Sequence, residues 1–410
     1  MFDFSIVTNW FDTLLRQTCG LSDFWAILIE CVLVGVIVLT AYALICIVLI
    51  FMERKVCAYF QCRVGPMRVG PWGIFQVFAD VVKMLIKEIF SVDRADKLLY
   101  YLAPILVMVA SVGTFSFLPF NKGMEVLDFN VGVFMITAVS SLGVIGIFMA
   151  GWASNNKYSV VSAMRGAVQL ISYEMSLGLC YITAVVFLGT MQMSGIVEAQ
   201  TGPWNWLIIQ GHVPACVAFL VFLIAGNAEA NRGPFDLAEA ESELTAGYHT
   251  EYSGMGFGFY YLAEYLNLFV IAGLAAGVFL GGWAPLNIGI EAFDNLMNLI
   301  PGFVWFFGKT FFLVFILMFF LPVSGFSTIS WVMVMVPLGH AFSHIVQATH
   351  LWLPFSSLTK TRRPRWRLET WSVVFRFSGY CSVLLGVKYS FMVVFSPVAR
   401  VLSAPPISPK

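Results

Sequence analysis

The stretch Ala26–Met52, AILIECVLVGVIVLTAYALICIVLIFM, contains a single charged residue, Glu30. About 20 apolar residues are enough to cross ~30 Å of hydrocarbon as a helix. Seven further apolar runs follow, near residues 98–118, 131–151, 168–191, 213–228, 256–282, 303–321 and 371–395. Only helices and closed barrels satisfy the backbone in lipid, and these runs lack the alternation of barrel strands. The sequence therefore predicts an all-α polytopic membrane protein with about eight transmembrane helices.

The composition excludes several classes of protein. Hydrophobic residues make up 59% of the 410 residues and charged residues 11%, which is not the composition of a soluble domain. The 8 cysteines show no C-x-x-C or Cys/His spacing, so no metal site is expected. There is no basic patch that would favour nucleic acid. No linker divides the chain, which predicts one membrane domain over residues 1–410.

The loops between the runs differ sharply in positive charge. Those after the first, third, fifth and seventh runs hold sixteen Lys and Arg residues, whereas the alternate loops hold only Lys122. By the positive-inside rule the basic loops face the cytoplasm or matrix, and both termini face the opposite side.

Residues 324–354 are apolar enough to suggest a ninth span. A ninth span would move the basic run at 360–367 to the outer side, against the charge rule. We therefore expect a re-entrant or interfacial insertion at 324–354. His340 and His344, at i and i+4, could be metal ligands, but no third ligand is evident and a polar helix face is the better expectation.

An acid-rich loop follows the fifth run. Six of the 23 acidic residues of the chain lie between positions 229 and 251, and they are Glu229, Asp236, Glu239, Glu241, Glu243 and Glu251. Two more acids, Glu174 and Glu264, lie within apolar runs. A carboxylate in hydrocarbon is costly unless it is protonated, paired or facing water, which is the behaviour that a proton relay needs. The alternative is a structural hydrogen bond between helices.

The first basic loop has a distinctive pattern. It begins with Glu53-Arg54-Lys55, continues through two Gly-Pro pairs at Gly65 and Gly70, and then enters an amphipathic segment. In that segment Phe75, Phe78, Val82, Leu85 and Ile89 follow helical spacing, and Gln76, Asp80, Lys83 and Lys87 form a polar face. The pattern predicts an amphipathic interfacial helix, whose polar face could form the wall of a cavity.

Taken together, these motifs resemble the NuoH-type membrane protein family of respiratory complex I, the NADH:quinone oxidoreductase. The match runs over about residues 25–310 and rests on four strings of residues. They are Glu53 through Pro71, Gln76 through Glu88, Gly151 through Glu174, and Glu229 through Tyr265. The basic run at Arg363-Pro364-Arg365 resembles a family loop but lies later in the chain than in the family, and residues 360–410 would form this loop and the last helix.

The resemblance implies both a function and residue roles. A member of this family forms part of a quinone chamber and links quinone reduction to proton translocation, while electrons arrive through FMN and iron–sulfur clusters in partner subunits. Quinone is the substrate, and no cofactor is expected in this chain, which lacks nucleotide-binding and redox motifs. By resemblance, the quinone-binding residues are Arg54, Arg63, Asp80, Arg232 and Phe235. The proton path is Glu174, Glu229, Glu239, Glu241, Glu243 and Glu264.

Two other functions stay open from the sequence. One is the membrane subunit of an energy-converting hydrogenase, which shares these motifs. The other is a stand-alone proton or cation transporter, which an internal repeat would favour, and we find none. The expected partners are hydrophilic quinone-module subunits on the inside face, small adjacent membrane subunits and lipid. High phenylalanine and low lysine content favour the mitochondrial inner membrane, with a bacterial plasma membrane as the alternative.

Overall fold

The computed structural model describes residues 12–14, 16, 22–239, 241–287, 289, 291–320, 375–376 and 392–393. Within these residues seven helices are long and apolar enough to cross a membrane. They are α1 (Asp23–Phe60), α3 (Lys97–Ser116), α4 (Gly132–Ala153), α5 (Lys157–Leu188), α8 (His212–Glu229), α10 (Gly254–Phe279) and α12 (Gly302–Phe315). The last of these continues as a π-helix over Ile316–Phe320. The prediction of a polytopic helical membrane protein is confirmed.

Shorter elements connect the spans. The short helices are α2 (Gln76–Ile86), α6 (Met193–Glu198), α7 (Leu207–Gln210), α9 (Glu241–Leu244) and α11 (Glu291–Asn298), with 3₁₀ turns at Pro71–Gly73, Pro203–Asn205 and Gly247–His249. Two strands of two residues, β1 (Phe375–Arg376) and β2 (Met392–Val393), pair antiparallel. These four residues of the eighth predicted span are extended rather than helical, and the rest of that span lies outside the described residues.

Other predictions also fall outside the described residues. They concern the insertion at 324–354, the His340 and His344 pair, and the basic run with Arg363 and Arg365. By contacts between residues the chain divides into two compact units, 1–344 and 345–410. The single-domain expectation stays a prediction.

Helix α10 lies at the centre of the bundle. Of its most apolar stretch 83% is buried, against 28% for α1, so α10 is enclosed by protein whereas α1 mostly faces outward. It packs against α3, α8 and α12, and more lightly against α1. A polar side chain on α10 is therefore held among other helices and not among lipid, which is where charged groups in membrane proteins are tolerated.

Helix α5 begins earlier than its apolar run suggests. We expected a span from about residue 168, but the helix starts at Lys157, where the side chain of Asn156 accepts a hydrogen bond from the backbone N–H of Tyr158. A cap of this kind satisfies an N–H that the helix itself leaves unpaired. The extra turns bring Arg165 onto a rigid helix.

The amphipathic helix α2 forms within the predicted segment, but it ends at Ile86, before Lys87 and Ile89. The N-cap residue Phe75 and the helix residues Phe78 and Leu85 are exposed, at 56 to 60%. Asp80 on the polar face contacts α1. The polar face of α2 is thus turned towards the bundle and its apolar face outward, as an interfacial helix would place them.

Candidate functional site

The acid-rich loop and the first basic loop meet at one end of the bundle. At this end, which we call the acid end, α1, α4 and α8 finish and α3, α5 and α10 begin. The two loops are joined directly where Ser253 Oγ donates to the Glu88 carbonyl at 3.0 Å. Asn156 also donates to the Glu251 carboxylate at 2.6 Å, and Tyr100 of α3 donates to the Glu251 carbonyl at 2.7 Å. The residues that the sequence analysis placed in two groups are therefore neighbours in space.

Asp80 and Arg54 form the first contact of the site. Arg54 Nη1 lies 2.5 Å from Asp80 Oδ2, and Gln76 Nε2 and Lys83 Nζ donate to Asp80 Oδ1 at 3.2 and 3.4 Å. Burial alone would raise the pKa of Asp80, but the hydrogen bond and charge of Arg54 outweigh it and hold the pKa below its usual value. Asp80 is therefore an anion that positions Arg54.

The turn between α1 and α2 depends on one glycine in particular. Gly73 has φ +79°, and a Cβ built on it would lie 2.1 Å from the carbonyl oxygen of Pro66. Only glycine tolerates both the left-handed backbone and this approach. The turn carries α2 back towards α1, which is how Asp80 reaches Arg54.

Arg232 is the centre of the site. Its Nη1 donates to Glu53 Oε1 on α1 at 2.8 Å, and its Nε lies 2.8 Å from Glu264 Oε1 on α10. The guanidinium carbon lies 4.3 Å from the centre of the Tyr265 ring, a cation–π distance. Burial opposes the charge, but Glu264 and Glu53 raise the pKa of Arg232 above its usual value. One loop cation thus joins two spans through two carboxylates.

Phe235 lies three residues beyond Arg232 on the same loop. It is 8% exposed, and its ring meets the Tyr173 ring edge to face at 5.4 Å. The expected apolar wall is therefore a buried aromatic pair that packs against α5. Tyr265, which stacks under Arg232, also shares a hydrogen bond of 2.9 Å with Tyr261 through their hydroxyls.

A cavity lies deeper in the bundle, between α3, α4, α5, α8 and α10. It offers about 50 Å³ to the centres of water molecules, which is room for about three of them. Glu174 and Glu229 both line it. The other polar side chains of its wall are Ser111, Thr114, Thr137, Ser140, Tyr181 and Asn267. Glu174 accepts from Ser141 at 2.5 Å and from Ser140 at 3.3 Å. The two predicted acids thus share one polar cavity.

The acidic residues of the acid-rich loop differ in their burial and in their partners. Glu239 is half-buried, with Oε1 3.9 Å from His249 Nδ1. Burial lowers the pKa of His249 to about 4, so this His is neutral near pH 7 and the contact is not an ion pair. Glu243 instead pairs with Arg165 of α5 at 2.8 Å on the exposed surface. The side chain of Glu241 lies outside the description.

Arg63 is not brought to the centre. It is exposed, and its Nε donates to Gln61 at 2.7 Å. Residues that the sequence analysis did not assign are central instead: Glu53 stood in the first motif without a role, and Tyr265 followed Glu264. Within the described part of the chain no three His, Cys, Asp or Glu side chains group as a metal would need. The expectation of no metal stays a prediction.

These features define an integral membrane protein in which acids, arginines and a small polar cavity run from one loop surface into a helical bundle. A model of the NADH dehydrogenase family matches residues 33–357, and the chain belongs to that family. It is a membrane subunit of NADH-quinone oxidoreductase, respiratory complex I, which confirms the resemblance in the motifs. Neither a hydrogenase subunit nor a stand-alone transporter is favoured.

Several bacterial relatives support this assignment, and each is named as the H subunit of NADH-quinone oxidoreductase. The protein of Phocaeicola vulgatus is 59% identical over 346 residues, which cover 83% of this chain and 95% of that protein. The protein of Bacteroides thetaiotaomicron is 61% identical over 319 residues, covering 78% and 88%. That of Rhodospirillum centenum is 43% identical over 269 residues, covering 65% and 76%. The chain therefore assembles with the other subunits of such a complex.

Proposed function

We propose that the acid end forms much of a quinone chamber, and that Glu264, Glu229 and Glu174 link quinone reduction to proton translocation. The observation that carries the proposal is the position of Arg232. It touches Glu264 and Glu53, and it lies on the same loop as the buried wall residue Phe235. A change in charge beside Arg232 would therefore act directly on the carboxylate of Glu264 on the central helix, α10.

The chemistry of a quinone fits this arrangement. Its ring needs an apolar surface, which Phe235 and Tyr173 offer, and its oxygens gain negative charge as electrons arrive. Fixed cations stabilise such developing charge. The Nη2 nitrogen of Arg232 is buried and has no acceptor among the described residues, so its N–H groups are available to a quinone oxygen. Arg54, which Asp80 holds in place, would supply a second cation.

Protons would leave through α10. Asn267 lies three residues beyond Glu264, a spacing that places both on one face of a helix. Asn267 lines the cavity that Glu174 and Glu229 share. With room for about three waters, the cavity can carry a proton between the two acids. Hydroxyl groups on its wall would orient those waters.

The remaining acids and Arg63 keep their predicted roles as proposals. Glu239 is half-buried within the loop and is the member best placed to connect the chamber with the proton path. We propose the same role for Glu241. Glu243, which pairs with Arg165, would act as a tie between the loop and α5 before any role in proton transfer.

We also propose the partners and the location of this subunit. We expect hydrophilic quinone-module subunits on the acid end and small membrane subunits beside the bundle, with FMN and iron–sulfur clusters in those partners and quinone as the substrate. The relatives named above are bacterial, which favours a bacterial plasma membrane over the mitochondrial inner membrane. By the positive-inside rule we expect the acid end on the inside and both termini on the outer side.

The proton path can be tested with Glu229→Gln and Glu264→Gln in the intact complex. A glutamine keeps the shape but carries no proton, so we expect NADH:quinone turnover to fall by about tenfold or more. Ferricyanide reduction, which reports the assembled arm without quinone, should be unchanged. Glu198→Gln is the matched control, because Glu198 pairs with Lys122 at the opposite end. Normal proton-coupled turnover in both variants would show that Glu229 and Glu264 are not part of the proton path.

A photoreactive quinone tests the chamber separately. Labelled peptides should come from residues 54–80 or 232–235, where the two loops meet. Excess unlabelled quinone should suppress the labelling. Labels confined to the opposite end of the bundle would exclude a chamber at the acid end.

A further inference from the structure

Two buried amides hold the loop that carries Arg232 and Phe235. Gln169 on α5 is 1% exposed and Asn227 on α8 is fully buried. Gln169 Nε2 donates to the carbonyls of Ala228, at 2.9 Å, and Phe235, at 2.7 Å. Both hydrogens of one amide therefore join the end of α8 to the chamber wall. Neither Gln169 nor Asn227 stood among the residues predicted from the sequence.

Asn227 holds the same loop from the other side. Its Nδ2 donates to the Gly233 carbonyl at 3.2 Å, and its backbone carbonyl accepts from Arg232 N–H at 3.3 Å. Three backbone carbonyls near the turn are thus fixed by two side-chain amides. Since both amides point their NH₂ groups at carbonyls, the hydrogen-bond network sets their orientation.

The acceptor ends of the two amides differ from what is usual in a buried core. Gln169 Oε1 and Asn227 Oδ1 are buried and have no hydrogen-bond donor among the described residues. Most buried polar atoms have a partner, and ordered water commonly fills that role. Glu229 follows Asn227 by two residues, so these acceptors belong to the region between the loop and the proposed proton path.

We propose that Gln169 and Asn227 are positioning residues, an amide clamp that fixes Arg232 and Phe235 relative to Glu229. The inference rests on the proposed function, because it gives the clamp a role in quinone binding and proton coupling. The clamp ties the loop rigidly to α5 and to the last turn of α8. A shift of Phe235 on quinone binding then moves the backbone that carries Glu229.

The opposite end of the bundle offers a matched control. Gln200 is also fully buried, and its Nε2 donates to two backbone carbonyls, those of Ile196 at 3.2 Å and Val278 at 2.8 Å. Its oxygen accepts from the N–H of Leu207 at 3.0 Å. Gln200 therefore makes the same kind of backbone tie without any contact to the loop.

The test compares Gln169→Met with Gln200→Met in the intact complex. Methionine keeps the length of the side chain and removes the donors. Rates are divided by ferricyanide activity, which corrects for assembly. We expect Gln169→Met to raise the KM for a short-chain quinone about fivefold or more, and to lower the number of protons moved per electron in vesicles. Gln200→Met should reduce assembly but leave both quantities at wild-type values.

A wild-type KM and proton ratio in Gln169→Met would overturn the clamp. If that variant does not assemble, Asn227→Ala decides, since it removes one weaker bond. A raised KM would then support the clamp, and an unchanged KM would overturn it. Phe235→Ala separates the two proposals. If it alters the KM while the clamp variants do not, the chamber stands and the clamp fails. If none of them alters the KM, both fail.

Discussion

Two cations lie at opposite ends of the bundle, and they are held in different ways. Arg232 at the acid end faces the carboxylates of Glu53 and Glu264. Lys309 on α12, at the opposite end, donates to the backbone carbonyls of Leu280, Gly282 and Ala284 at 2.8 to 2.9 Å. Each cation also lies over an aromatic ring, Tyr265 for Arg232 and Trp206 for Lys309.

The difference lies in what the partners can do. A carboxylate can take up and release a proton, so the charge around Arg232 can change during a reaction. A backbone carbonyl does not titrate, and the three around Lys309 belong to the C-cap residue of α10 and to the turn that follows it. We propose that Arg232 lies in a reactive site, whereas Lys309 ties α12 to the turn that follows α10.

Two acids, one at each end of the bundle, are also held in different ways. Asp80 faces Arg54, which keeps its pKa low. Glu125, in the loop between α3 and α4 at the opposite end, lies beside Asp128. Burial first, and then the charge of Asp128, raise the pKa of Glu125 to about 7. Asp80 is therefore paired with an arginine, whereas Glu125 and Asp128 repel each other.

The largest effect is expected from Arg232→Met. It leaves two carboxylates without their cation, and breaking a buried ion pair costs roughly 3–5 kcal/mol. Loss of a donor for developing charge should lower NADH:quinone turnover by about 10²-fold or more relative to ferricyanide reduction. Arg165→Met, which removes only an exposed pair with Glu243, is the control. Wild-type turnover in Arg232→Met would show that the two cations do not differ in function.

A smaller and different effect is expected from Lys309→Met. Three carbonyls lose their donor, which should cost on the order of 1–3 kcal/mol and lower the melting temperature or yield of the complex. Because Lys309 donates to backbone carbonyls at the end opposite the proposed quinone chamber, the quinone KM and the pH profile of turnover in the assembled complex should match wild type. A shifted pH profile would contradict the proposed difference between Arg232 and Lys309, and it would indicate that Lys309 takes part in proton transfer.

The smallest effect is expected from Glu125→Gln. A folded-state pKa of about 7, above the ordinary 4.5, means that the folded protein binds the proton more tightly. The contribution of Glu125 to the free energy of unfolding of the wild type is then fully present below about pH 4.5, and it is lost as the pH rises through 7. Glutamine removes this loss, so at pH 8 the free energy of unfolding of the variant should exceed that of wild type by up to about 1 kcal/mol. The effect is small because solvent screens a half-buried carboxyl.

Thermal melting of the intact complex at pH 5 and pH 8 checks this prediction. The stability difference between Glu125→Gln and wild type should be larger at pH 8. Glu243→Gln, whose exposed carboxylate pairs with Arg165 at 2.8 Å at the acid end, should not show the same trend. An equal difference at both pH values would contradict the raised pKa.

Much of the fold could be predicted from hydrophobicity alone. Seven apolar runs became spans because hydrocarbon leaves a helix as the simplest way to satisfy the backbone. The predicted start of α5 was wrong. The run is apolar only from residue 168, whereas the helix begins at Lys157, directly after its N-cap Asn156. The roles of Gln169 and Asn227 could not be predicted, since neither residue carries a charge and both bind backbone atoms that have no sequence signature.

The sequence by itself determined the class of protein, the spans and the set of acids, because the energies of moving apolar and charged groups into lipid depend on residue type. Only the tertiary structure decided which acids act together. Glu53 and Glu264 are far apart in the chain and meet at Arg232 because α1 and α10 are neighbours. Residue type sets the cost of burying a charge, but packing decides which partner offsets that cost.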